Sequence, residues 1–194
     1  MIKENNFKSD LEWSHARQDD EIFDEYYRNK FDGVLSIEKV DCLKLQKLGI
    51  DKVINQTFDR QITIDEKKRR EPYTDVLVEL FSASKLPSDP PKNPSLSSLL
   101  NRDGKRRGWA FKNNCDFIVY AIMPRQTLYL IPQKLLTIVT RKHWKTWCEK
   151  YHHKCASNFT YWTVSVPVPT QQLFECLQSE MTDTFTYQPE VKVF

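Results

Sequence analysis

Glycine is scarce in this chain. Only Gly33, Gly49, Gly104 and Gly108 occur in 194 residues. They cannot build a phosphate-cradling loop or a dinucleotide fingerprint, so nucleotide-cofactor chemistry of those kinds is excluded. No apolar run approaches the roughly 20 residues of a membrane helix. The start, Met1-Ile2-Lys3-Glu4-Asn5-Asn6, leads into no apolar core of a secretory signal. The five cysteines are odd in number and irregular in spacing. They read as free thiols in a reducing compartment, and the expected location is the cytoplasm. Net charge is also small, +3.

What is present is a folding composition. Hydrophobic residues make up 40% and aromatics 12%, enough for a sizeable core in one domain with an appended subdomain. The basic residues are clumped rather than abundant: Lys67-Lys68-Arg69-Arg70, Lys105-Arg106-Arg107 and Arg141-Lys142-His143 with Lys145. Clumps suit a polyanionic partner, with plain solvated surface as the alternative.

Periodicity divides the chain. Residues 1–19 read as an N-terminal arm. Asp19-Asp20 caps a helix over 20–30 with Ile22, Phe23, Tyr26, Tyr27 and Phe31 on its apolar stripe. Residues 35–48 fit either a helix or a turn-rich connection. Strands are expected over 51–57, 61–68 and 75–81, the last mostly apolar as a central strand is. Residues 82–107 form a Pro/Ser-rich and basic insertion, with 82–98 read as a long, extended, mobile loop, a short helical turn at 96–100 and a basic turn over 101–107. Strands over 116–123 and 127–131 follow. Pro132 opens a helix to about Tyr151, and a strand over 159–166 and a helix over 171–180 close the pattern. This is an α/β chain: a mixed sheet flanked by helices.

The chemistry concentrates between residues 49 and 68. Side chains alternate along a strand, so Thr63, Asp65 and Lys67 share one face and Ile62, Ile64, Glu66 and Lys68 the other. If the strands over 51–57 and 61–68 pair, Asp51 and Asp65 converge beside Lys67. Two carboxylates offer hard oxygens to Mg²⁺, which keeps several of its waters. A lysine beside them can orient a water or offset charge on a phosphoryl group. A capped turn followed by a solvated charged edge is the alternative. Glu66-Lys67-Lys68 satisfies the same acid-x-Lys pattern one residue later. Asp65 and Lys67 are preferred because Ile62 and Ile64 then pack together on the other face. Glu79 is a further candidate ligand, or a rim residue in an ion pair.

Gly49-Ile50-Asp51 in one strand, then Ile64-Asp65-Glu66-Lys67 in the next, followed by an apolar strand and a later strand after a crossover, resembles the PD-(D/E)xK nuclease superfamily. Restriction endonucleases and Holliday-junction resolvases belong to it. The resemblance covers residues 20–131 and implies a restriction-endonuclease-like αβββαβ core, with 132–194 as a C-terminal α/β extension packed on it. It implies a Mg²⁺- or Mn²⁺-dependent deoxyribonuclease in which Asp51 and Asp65 hold metal and Lys67 positions the nucleophile. The helix before the core often adds an acid in that superfamily, and Glu21 and Glu25 are the choices here. Ile50 stands where the motif has proline. DNA is the expected partner, held by Lys68, Arg69, Arg70, Lys105, Arg106, Arg107 and Lys112, with Arg141 and Lys145 as further phosphate contacts. No membrane partner is expected, and homodimers are common among such nucleases. An inactive DNA- or protein-binding module on the same fold is the alternative. Trp109 reads as core rather than as a base-stacking platform. Cys148, His152, His153 and Cys155 crowd too closely for a regular zinc site.

Overall fold

A computed structural model describes residues 20–112, 114–182 and 192–193, so the expected arm over 1–19 lies outside the described residues. The chain is a mixed α/β protein with two sheets. It begins with helix α1 (Asp20–Lys30), strand β1 (Val34–Lys39), the short helix α2 (Leu43–Gln46), β2 (Lys52–Gln56) and β3 (Arg60–Arg69). Strand β4 (Asp75–Ser84) leads to α3 (Leu96–Leu100), β5 (Arg106–Arg107) and α4 (Trp109–Lys112). Then come β6 (Phe117–Ile122), β7 (Thr127–Pro132), α5 (Gln133–Tyr151), β8 (Lys154–Ser157), β9 (Tyr161–Pro169) and α6 (Thr170–Thr182). The two-residue β10 (Lys192–Val193) sits against β7.

The first sheet has five principal strands in the order β1-β2-β3-β6-β7, with β10 at its edge. Only β3 and β6 run parallel, with Asp65 opposite Ile118 and Lys67 opposite Tyr120. Strands β1, β2 and β3 form an antiparallel meander. The second sheet is antiparallel, in the order β5-β4-β9-β8.

Alternation along the strands sorts the core into two layers. Phe23, Tyr26 and Tyr27 of α1 pack on Ile54, Ile64, Val119, Ala121, Leu128 and Leu130, with Ile62 beside them. The opposite face, with Ile118, Tyr120, Ile122 and Ile131, meets the second sheet through Val76, Val78, Val164 and Val166. Helices α5 and α6 complete that layer with Leu136, Val139, Trp147, Leu173 and Leu177.

Some expectations need correction. Residues 34–39 form an edge strand where a helix or connection was expected; only 43–46 is helical. The strand over 75–81 exists, extended to residue 84, but it does not join the sheet of the two strands before it. It pairs with β9 from Asp75↔Pro169 to Ser84↔Tyr161. Its inward side chains are buried against the other sheet, so its apolar character reports layer packing rather than a central place beside β3. The helical turn expected at 96–100 is α3, and the segment over 82–98, expected as a loop, is tied to the rest of the fold at several points. Asp89 accepts from Arg102 and from Trp162 Nε1 at 2.8 Å, His153 Nε2 contacts the Pro94 carbonyl at 2.9 Å, and Ser95 Oγ caps α3. Pro132 ends β7 and stands at the N-cap of α5 rather than inside its first turn. No helix among the described residues is long and apolar enough to cross a membrane.

Candidate functional site

The site is built by the β2–β3 hairpin. Gly49, at φ +77°, turns the chain out of α2 in a left-handed conformation that favours glycine. Asp51 then prolongs β2 by one residue: its N–H donates to the Ile64 carbonyl at 2.8 Å, and its carbonyl accepts from Val40 N–H at 2.8 Å. Those two bonds fix its carboxylate, and Oδ2 accepts the Glu66 backbone N–H at 2.9 Å. Asp65 is fully buried, hydrogen-bonded to Asp51 and ion-paired with Lys67 Nζ. The structure thus brings Asp51, Asp65 and Lys67 together.

Electrostatics follow from that packing. Burial pushes the Asp65 carboxyl up, Lys67 pulls it down and Asp51 pushes it up again, leaving it at about 7. A pair of adjacent carboxylates cannot both ionise freely without a cation between them. Burial pulls the Lys67 ammonium down, but Asp65 and Asp51 more than reverse this, and its pKa is raised.

Glu66 and Lys68 face the other way. Glu66 Oε1 accepts from the Tyr27 hydroxyl at 2.8 Å and lies 3.4 Å from Lys52 Nζ, while Lys68 Nζ sits 5.2 Å from the Phe23 ring centroid. The side chains of the alternative register thus face α1, and both line the cleft that Asp51 and Lys67 also line. Glu21 and Glu25 are exposed on the outer side of α1. The helix presents Asp20 and Asp24 inward instead, because Phe23, Tyr26 and Tyr27 set its buried side.

Those inward acids reveal a residue missed in the sequence. Lys52 is 3% exposed and pairs with Asp24 at 2.6 Å, Asp20 at 3.5 Å and Glu66. Burial pulls its ammonium down, and Glu66 and Asp24 over-compensate, so its pKa is raised. Its position two residues before Ile54 on the same strand face was the available signal. Lys39, Gln46, Asp20 and Lys52 line a cleft of about 370 Å³ together with Asp51 and Lys67. Gln46 donates to the Val40 carbonyl at 2.7 Å.

Glu79 lies on β4 in the second sheet, near enough to Lys67 to help hold its charge. Burial raises the Glu79 carboxyl, while Lys67, Lys112 and the Trp109 N–H lower it, and the balance stays upward. Gly108 permits this contact: a Cβ there would meet the Glu79 carbonyl oxygen at 2.4 Å. Of the expected phosphate contacts, Arg70, Lys105, Arg106, Arg107, Arg141 and Lys145 are exposed. Arg69 is held over the Tyr73 ring at 4.3 Å and near Asp75 at 3.6 Å, and Lys112 is exposed. Trp109 is buried core.

Hard carboxylate oxygens at Asp51 and Asp65 suit Mg²⁺ or Mn²⁺ chemically, and the raised Asp65 carboxyl marks a site that a divalent charge would relieve. Among the described residues no group of three or more His, Cys, Asp or Glu side chains is gathered closely enough to hold a metal. A cation here would take two protein carboxylates and keep waters. The cluster at 148–155 forms no metal site either; Cys148 is buried and His153 is engaged with Pro94. No family model, curated protein or solved structure matches the chain.

Proposed function

We propose that the chain is a metal-dependent deoxyribonuclease of PD-(D/E)xK type, hydrolysing DNA phosphodiester bonds. The observation that carries this reading is the convergence of Asp51, Asp65 and Lys67 on one hairpin, with the two carboxyls hydrogen-bonded and Asp65 raised to about 7. The topology supports it. Helix α1, the β1–β3 meander, a crossover and β6 parallel to β3 follow the αβββαβ order, with the three strands one place earlier in the chain than the sequence pattern indicated.

In this reading Asp51 and Asp65 would hold Mg²⁺, whose chemistry when bound would be to offset phosphoryl charge and to acidify water. Asp51 is oriented for this by the Glu66 N–H. Lys67 keeps its proton and places a positive charge beside the scissile phosphate. Lys39 and Lys52 line the same cleft, and Lys52 lies among three carboxylates that cancel most of its field.

A catalytically inactive DNA- or protein-binding module is the second reading, favoured by the absence of a third gathered ligand among the described residues. Plasmid nicking in Mg²⁺ or Mn²⁺ separates the two. Wild type is expected to nick, and Asp65→Ala and Lys67→Ala each to lose at least about a hundredfold in rate, the scale of losing one electrostatic group at a reacting centre. Cleavage surviving both substitutions would remove the site assignment. No cleavage of duplex, branched or single-stranded DNA would favour the binding module.

A further inference from the structure

The outer face of the second sheet carries a groove that the catalytic proposal does not use. Register places Ser82 between Arg106 on one side and Thr163 on the other, and Ser84 opposite Tyr161. A bulge between Glu79 and Phe81 turns Leu80 and Phe81 both inward and keeps Glu79, Ser82 and Ser84 on the outer side. Small hydroxyl side chains in the middle and long basic ones at the side make a trough of about 470 Å³. Arg107 and Lys112 complete its basic wall, and Glu79 closes one end. That end lies within electrostatic reach of Lys67.

Two observations select the ligand. Neither Arg106 nor Arg107 has an ion-pair partner among the described residues, and the hydroxyls beside them donate and accept; together these suit a phosphodiester backbone. The far end is aromatic. Tyr161 is 40% exposed in the groove wall, and Phe159, in the turn leading to β9, is 99% exposed. A phenylalanine so exposed, next in sequence to the groove-lining Thr160, presents a stacking face. Stacked duplex bases offer no such face to a partner, whereas unpaired bases do.

We infer that this trough binds single-stranded DNA, its backbone along Arg106, Arg107 and the hydroxyl row and its bases on Tyr161 and Phe159. The direction of the strand toward Lys67 rests on the nuclease reading; the binding itself does not. The site then acts on DNA with a single-stranded arm rather than on an uninterrupted duplex.

The test uses the full chain in EDTA, so that nothing is cut, and fluorescence anisotropy of labelled oligo-dT and of a duplex of equal length. Single strand is expected to bind at least about tenfold more tightly than duplex. A Phe159→Ala/Tyr161→Ala double variant is expected to lose about tenfold or more for the single strand, the scale of one or two stacked bases, with the duplex little changed. An Arg106→Ala/Arg107→Ala variant is expected to lower the salt slope of single-strand binding by about 1.4, from two phosphates. Unchanged melting temperatures establish that these exposed variants fold. Duplex binding equal to or tighter than single-strand binding, or wild-type affinity in the aromatic variant, would overturn the inference. If Mg²⁺ then produces no cleavage while single-strand preference persists, the nuclease reading fails and the groove stands. Duplex cleavage indifferent to Phe159 and Tyr161 gives the reverse.

Discussion

At the residue scale the informative group is Asp65. Its ordinary value is 3.8, and in the folded chain it is raised to about 7, chiefly by burial. A raised carboxyl binds its proton more tightly folded than unfolded. Its contribution to stability is therefore fully present below about pH 4 and is lost as pH rises through 7. Glu66 and Glu79 are raised as well, again with burial as the leading cause, and act in the same direction. Urea unfolding is expected to show stability falling by a few kcal/mol from acid toward neutral pH, with a flatter profile for Asp65→Asn. Addition of Mg²⁺, Mn²⁺ or Ca²⁺ at neutral pH is expected to raise the melting temperature, by about 2.7 kcal/mol of stability at one hundred times the dissociation constant. Asp51→Asn and Asp65→Asn are expected to abolish that rise. A wild type whose melting temperature ignores divalent cations would count against the metal-holding role, independently of any cleavage assay. The convergence of Asp51, Asp65 and Lys67 was legible in the sequence because alternation along a strand is strict, and one buried apolar face determines what the other face carries. The acids of α1 were assigned to the wrong side, because helical periodicity gives a stripe whose rim, where Asp20 and Asp24 sit, is only a residue away from the exposed face.

At the element scale, α1 and the β2–β3 hairpin are joined through Lys52 and Tyr27, both bonded to Glu66. Lys52→Met would leave Glu66, 10% exposed, without its cation. The expected cost is about 3 kcal/mol, read as a lowered denaturation midpoint, because removing one partner strands the other in low dielectric. Asp24 is 39% exposed, so Asp24→Asn should cost less than about 1 kcal/mol. The same logic applies at Gly108. Its alanine variant must move the β4 backbone at Glu79, at an expected cost of about 1–3 kcal/mol, with Glu79 displaced from the Trp109 N–H. Strand β1 was illegible because it is a half-exposed edge with no clean alternation: its burial runs intermediate, exposed, intermediate, intermediate, exposed, exposed. Prolines at 87, 90, 91 and 94 spoke for a loose loop. What holds that segment is a buried ion pair between Asp89 and Arg102, far apart in sequence from the Trp162 it also engages, and single-sequence patterns carry no such information.

At the scale of the whole molecule, the boundary read near residue 131 separates elements that the structure interleaves. Strand β9 supplies the long partner of β4, and Leu173 and Leu177 of α6 enter the same buried layer as Ile118 and Tyr120. A chain truncated after residue 131 is expected to lose its cooperative thermal transition by circular dichroism, since β4 would be left with only the two-residue β5 along its length. Strand identity along the chain was readable from composition, but sheet membership was not. Val76, Val78 and Leu80 read alike whether the buried strand lies beside β3 or in a second layer across from it.

The departure of β4 from the sheet of its predecessors has a consequence in time as well as in space. During synthesis β4 emerges well before β9, its long partner, which closes 77 or more residues later in the chain (Ser84 to Tyr161). At ribosomal elongation rates its apolar edge waits several seconds unpaired. The parallel β3–β6 pairing joins residues 53 apart in the chain (Ile64 to Phe117) and also closes late. Newly made chains therefore pass through a stage in which an apolar strand has no ladder, and strand-shielding chaperones are expected to raise the soluble yield more than lower temperature alone.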